Sequence, residues 1–272
     1  MKKIATFLTF VCLVCSLSAQ KVNETVTMFG KDQLHGFTIN IDNASADIID
    51  DAIDYKLESQ YGLKDSKKKG YHVYENQKCI AFGDARYDIY YTTAEVGKKN
   101  NKTTQVTFVV STGNMNCITF SNDPRTSRNI VSFMEGLPND VEAYKIKLRI
   151  EELKNNLASL EKERQGLEKD KQKLLDKIEN TNSEIARLGS EIEKKTSDLE
   201  TLKEKYNQTH EEALSAEIAA AEKEKLNLMK SHTNMQKSLL KLNNDLAKVN
   251  SKLEANARTT EEKKAELDKL QK

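Results

Sequence analysis

Apolar positions along this chain follow two different rhythms, and the change falls near residue 138. Before it the pattern is mixed. Residues 22–28 and 37–41 read as short strands, and 71–74, 78–82, 87–94 and 105–111 are rich in strand formers. A last short strand, 117–120, follows a turn at Gly113. Within 44–61, Ile48, Ile49, Ala52, Ile53 and Leu57 recur at helical spacing, which predicts an amphipathic helix. Lys98-Lys99-Asn100-Asn101-Lys102 is expected to be the loop of a hairpin joining 87–94 and 105–111. Asp123-Pro124 places a side-chain acceptor and a proline where a helix starts. That second helix is expected to reach 132–134 and to stop at Gly136-Leu137-Pro138. The expectation for 20–138 is a small α+β domain with an antiparallel sheet and two helices, large enough for one core.

After Pro138 there is no further proline, and glycine occurs only at Gly166 and Gly189. Apolar residues now recur in alternating steps of three and four. Leu153, Leu160, Leu167 and Leu174 stand at one heptad position and Ile150, Leu157, Ile178 and Ile185 at the other, with Arg164, Lys171, Thr181 and Lys195 as interruptions. This is a coiled-coil signal sustained over many heptads. A second seam, including Leu228, Leu239, Leu242, Leu246, Leu253 and Leu267, is shifted by five residues. A shift of three or four can be absorbed as local winding, whereas five points to a break. Thr209 and Glu212 fit a capping box there. Residues 139–272 are therefore expected to form a long antiparallel α-helical coiled-coil hairpin with its turn near 207–212. The seams match when Leu153 meets Leu267, Leu167 meets Leu253, Leu174 meets Leu246 and Ile192 meets Leu228, which also sets Arg164 against Asn256. The alternatives are one continuous helix in a parallel dimer, or a three-helix bundle turning at 180–183 and 231–234.

Composition narrows the function. Only 38% of residues are hydrophobic and 6% aromatic, 31% are charged, and tryptophan is absent, so only part of the chain can build a core. Residues 141–272 carry 27 basic and 26 acidic side chains, which disfavours phosphate-neutralising contact with nucleic acid. The four histidines, His35, His72, His210 and His232, have no metal spacing with one another or with cysteine. No nucleophile elbow, phosphate-binding loop or dinucleotide fingerprint is present. Neither a catalytic residue, a metal site nor a cofactor is expected. Asp47, Asp50, Asp51 and Asp54 cluster on the first helix but lack the glycine of a Ca²⁺ loop, so they read as a polar face. Tyr71, Tyr74, Tyr87, Tyr90 and Tyr91 fall on adjacent expected strands. They are the candidate binding residues, either as a flat platform for peptide or sugar or simply as strand formers packing a core.

The first nineteen residues have the layout of a secretory signal. Lys2 and Lys3 precede an apolar run over 4–15, and Ser16-Leu17-Ser18-Ala19 offers a cleavage point before Gln20. The run is short for a membrane span, and Val14 before Cys15 is a poor fit to lipoprotein processing. No other stretch is apolar enough to cross a membrane. Cleavage leaves 41 basic and 42 acidic residues. It also leaves Cys79 and Cys117, which an oxidising compartment allows to pair; two small buried thiols are the other reading.

Lys2-Lys3, the Ser-Leu-Ser-Ala-Gln signal end, the small α+β domain and the long helical tail together resemble exported proteins of the Bacteroidota cell envelope. That resemblance implies export to the periplasm, the envelope or the extracellular space, and no particular activity. A looser likeness is to periplasmic holdase chaperones with helical arms, which tend to be basic and shorter than this neutral chain. The expectation is a non-enzymatic envelope protein, with a docking domain and a coiled-coil spacer or assembly element. Its partners would be another protein or a further copy of itself through the coiled coil. A peptide- or glycan-binding module on the tyrosine strands is the alternative.

Overall fold

A computed structural model describes residues 21–68, 70–97 and 103–272. The signal expected at 1–19 and the hairpin loop at 98–102 lie outside the described residues. The chain divides into two compact units, 1–149 and 150–272.

The first unit is a six-stranded antiparallel sheet with helices. Strands β1 (Asn23–Phe29), β2 (Asp32–Asp42), β3 (Ser66–Lys68), β4 (Tyr71–Lys78), β5 (Arg86–Val96) and β6 (Thr103–Ser111) lie in the order β1-β2-β6-β5-β4-β3. Helix α1 (Ala46–Asp54) follows β2 and continues into a π-helical turn, Tyr55–Gln60. The long helix α2 (Pro124–Thr209) begins in this unit. Strand alternation sorts the core onto two faces. Phe37, Ile39, Tyr91, Val106 and Phe108 join α1 residues Ile49 and Ile53 and α2 residues Ile130, Phe133 and Leu137 in one cluster. Leu34, Val73, Tyr90 and Val109, one position out of phase, join Phe29, Tyr71 and Cys117 in the other. The sheet curls around that second cluster. Although three strands separate β1 from β4, Tyr71 Oη lies 2.7 Å from Thr27 Oγ1 and donates to the Met28 carbonyl at 3.2 Å. Gly36 permits β2 and β6 to approach, because a Cβ there would stand 2.3 Å from the Phe108 carbonyl oxygen.

Several local expectations change. Residues 78–82 do not form a separate strand. β4 ends at Lys78, and the N–H groups of Phe82 and Gly83 donate to the Cys79 carbonyl in a turn. Residues 117–120 make only an isolated bridge, Ser111 to Cys117. Asp123 does start α2, its carboxylate accepting from the Thr126 N–H at 3.0 Å. The helix does not stop at Gly136-Leu137-Pro138, however; it runs through Pro138. An internal proline costs about 3 kcal/mol. Burial of Met134 and Leu137 before it and Val141 after it opposes that cost, and the Lys56–Asp140 ion pair ties the following turn to the segment after α1.

The second unit comprises the rest of α2 and helix α3 (Glu212–Leu270). The break falls at His210, which has φ of 54°, and Glu211. The stretches 180–183 and 231–234 both lie inside helices, so the two turns of the three-helix alternative are not formed. Side-chain contacts join the two helices. Asn256 Nδ2 donates to the Leu160 carbonyl and to Glu163 Oε2, both at 3.1 Å. Lys195 pairs with Glu224 at 2.5 Å and Lys203 with Glu222 at 2.6 Å. Arg164, expected opposite Asn256, pairs with Glu161 and Glu168 on its own helix. Among the described residues, no helix is long and apolar enough to cross a membrane.

Candidate functional site

The five tyrosines singled out in the sequence are all buried, at 6% exposure or less. Tyr74, Tyr87 and Tyr91 belong to the helix-side core, and Tyr71 and Tyr90 to the cluster enclosed by the curled sheet. Phe29 packs against Tyr71 and Tyr90 with ring centroids 5.3 and 5.0 Å apart. Neighbouring strand residues face opposite ways, so Tyr90 and Tyr91 cannot present one surface. Of the two readings of these tyrosines, the exposed platform for peptide or sugar is therefore not built, and strand formers packing a core is the one that holds.

Cys79 and Cys117 are also buried and free. One lies in each cluster, on opposite faces of the sheet, which is why the disulfide candidate does not form. Burial pushes both thiols up from their ordinary value. A protonated, enclosed thiol is a poor nucleophile.

What the sequence did not bring together is a polar cluster around His72. Asp50 and Asp54 sit one turn apart on α1, which places them on one helix face. His72 and Tyr74 alternate on β4, and the sheet register sets His72 directly across from Tyr91 on β5. Asp65 arrives from the loop before β3. His72 is 6% exposed and stacks on Tyr91 with ring centroids 4.5 Å apart. Its Nδ1 lies 2.9 Å from Asp65 Oδ2 and 3.1 Å from Asp54 Oδ1, and its Nε2 faces Asp50 Oδ2 at 3.9 Å.

Each carboxylate is held in turn. Tyr74 donates to Asp54 Oδ1 at 2.9 Å, and Tyr91 donates to the same oxygen. The Val73 N–H donates to Asp65 Oδ1 at 2.9 Å, and Thr93 donates to Asp50 Oδ1 at 2.9 Å. Burial, reinforced by Asp54, holds both the Tyr74 and Tyr91 phenols far above their ordinary titration range, so they remain donors. Of the four aspartates read as one polar face, Asp50 and Asp54 turn to the sheet while Asp47 and Asp51 stay exposed.

A lone pair on Nδ1 facing two carboxylate oxygens would be repulsive, so the proton is assigned to Nδ1 and shared between Asp54 and Asp65. Among the described residues, Asp54, Asp65 and His72 form the set whose ligand atoms converge, all within 4.8 Å of one another. They are the residues that could hold a cation. The cluster ties α1 and the loop at Asp65 to β4 and β5.

Comparisons with family models, with curated proteins and with solved structures find no match for this chain.

Proposed function

We propose that the mature chain is a non-enzymatic exported protein of the cell envelope. In this reading the α+β domain docks, and α2 and α3 form an antiparallel coiled-coil hairpin that serves as spacer or assembly element. The observation that carries it is the order of the contacts between the helices. Residues 160 and 163 touch 256, 195 touches 224 and 203 touches 222, so positions on α3 fall as those on α2 rise. These contacts fall close to the seam register that opposes Leu174 to Leu246 and Ile192 to Leu228.

Two further features support the reading. The domain's two free thiols are enclosed and protonated, and His72 is bound into a hydrogen-bonded cluster. The leader expected before Gln20 supports export. Producing the full chain in a double-membrane bacterium should yield a mature protein beginning at Gln20 in the envelope fraction. The mature chain should turn over no peptide, ester or glycan substrate. Retention in the cytosol, or turnover abolished by one substitution in the α+β domain, would overturn the proposal.

A further inference from the structure

The charge on α3 is segregated in a way the intrachain contacts do not use up. Residues 211–224 carry five glutamates and one lysine. Residues 225–244 carry four lysines and one histidine, with no acid. The same helix exposes large apolar side chains across this boundary, Leu226 at 51%, Met229 at 47% and Leu240 at 64%. Steps of three and four residues put Ala219, Glu222, Leu226, Lys230, Thr233 and Lys237 on one stripe, all exposed. Leu226 and Met229 rim a depression shared with Thr196 and Leu199 of α2. Met229, Lys230, Thr233 and Lys237 line the next one along.

We infer that this stripe is where a second copy of the chain docks, α3 against α3, antiparallel about a two-fold axis at Leu226. This names the partner of the assembly element proposed above and rests on that reading. A two-fold contact must be self-complementary, and this stripe is. With Leu226 on the axis, Leu226 meets its own counterpart, and Met229 from each copy closes over the pair. Lys230 meets Glu222 of the second copy, and Lys241 meets Glu211. Thr233 then faces Ala219, and Lys237 faces Ser215, small residues that let the helices approach. Each charge pair occurs twice by symmetry, so four ion pairs flank one apolar centre. Glu222 already reaches Lys203 at 2.6 Å within its own chain, but that pair is half-exposed on both sides and leaves the carboxylate open to a second cation. A parallel arrangement would set glutamate against glutamate and lysine against lysine, so charge selects the antiparallel one.

The mature chain carrying Leu226→Cys tests this directly. Its native thiols are buried, so oxidised glutathione should link two chains through the introduced thiol. Ser238→Cys, an exposed position off the stripe, should not cross-link. In sedimentation, Lys241→Glu should weaken the dimer about tenfold, since it turns two exposed pairs into repulsions. Adding Glu211→Lys should restore it. A monomer at all concentrations overturns the inference, as does a dimer that Leu226→Cys does not capture. Binding of the monomer to anionic vesicles through Lys230, Lys237 and Lys241 would assign the stripe to a membrane surface instead, and also overturns it. Failure here leaves the intrachain hairpin untouched, because that pairing is read from a cross-link within one chain.

Discussion

The two units of this chain are stabilised at very different depth. In the α+β unit, Phe37, Ile39, Phe108, Ile130 and Leu137 are at most 1% exposed, and each packs into a cluster fed by both sheet and helix. In the helical unit only Leu153, Leu188, Leu199 and Asn256 fall in the buried class, and most seam residues are half-buried. Two helices cannot enclose a core, so each seam contact is shallow and stability must accumulate along the length. The difference teaches that the domain depends on a few irreplaceable side chains, while the helical pair depends on many replaceable ones. It also explains why the helical unit leaves large apolar side chains such as Leu226 and Leu240 exposed.

Substitutions should separate the units in this order. Phe108→Ala removes a fully buried ring between the sheet and α2, and should cost about 3–5 kcal/mol in urea unfolding of the domain. A loss under 1 kcal/mol, a ~1 threshold set against that range, would mean the cluster is not the core. Asp54→Ala strips the shared acceptor from Tyr74, Tyr91 and His72. That leaves Tyr74 without this acceptor, Tyr91 with only the Asp50 carbonyl at 3.3 Å and His72 Nδ1 with Asp65, and should cost about 2–3 kcal/mol. Asp54→Asn, which keeps one acceptor oxygen, should recover part of that loss. Leu239→Ala on the half-buried seam should cost only about 1 kcal/mol, and thermal unfolding of the helical signal reads it.

The smallest effect is pH-dependent. The Thr126 N–H holds the Asp123 carboxyl below its ordinary value of 3.8. The cap therefore contributes fully at neutral pH and loses its contribution as pH falls below ~4, through the depressed folded value. Asp123→Ala should cost about 1 kcal/mol at pH 7, and that difference should shrink in acid. A difference that grows in acid would contradict the assignment.

Much of this was legible from residues, and the exceptions share a cause. Asp123-Pro124 announced α2, and the five-residue phase shift located the break within 207–212, where His210 and Glu211 interrupt the helices. The α+β class followed from strand-forming runs mixed with a helically spaced segment before Pro138. Pro138 itself misled, because a local breaker was overridden by burial on both sides of it. The tyrosines left two readings open, platform or core, because alternation says which residues share a face but not which face is covered; burial of all five selects the core. The His72 cluster was invisible because its members are scattered over 50, 54, 65, 72, 74 and 91, and only the sheet register brings them together. Its faint signals were Asp50 and Asp54 one turn apart and the His72–Tyr74 alternation. A reading of Asp47 to Asp54 as a single polar face discarded the first of these.

The central claim is that the chain reverses at His210 and that α2 and α3 run antiparallel in the stated register. Cysteines introduced together as Leu174→Cys and Leu246→Cys test it most directly, since the register places these positions opposite each other far from the turn. At high dilution under mild oxidation, the account predicts a disulfide within one chain, seen as a monomer of altered mobility with both thiols consumed. Exclusive formation of linked dimers, or two thiols that remain free, would contradict it.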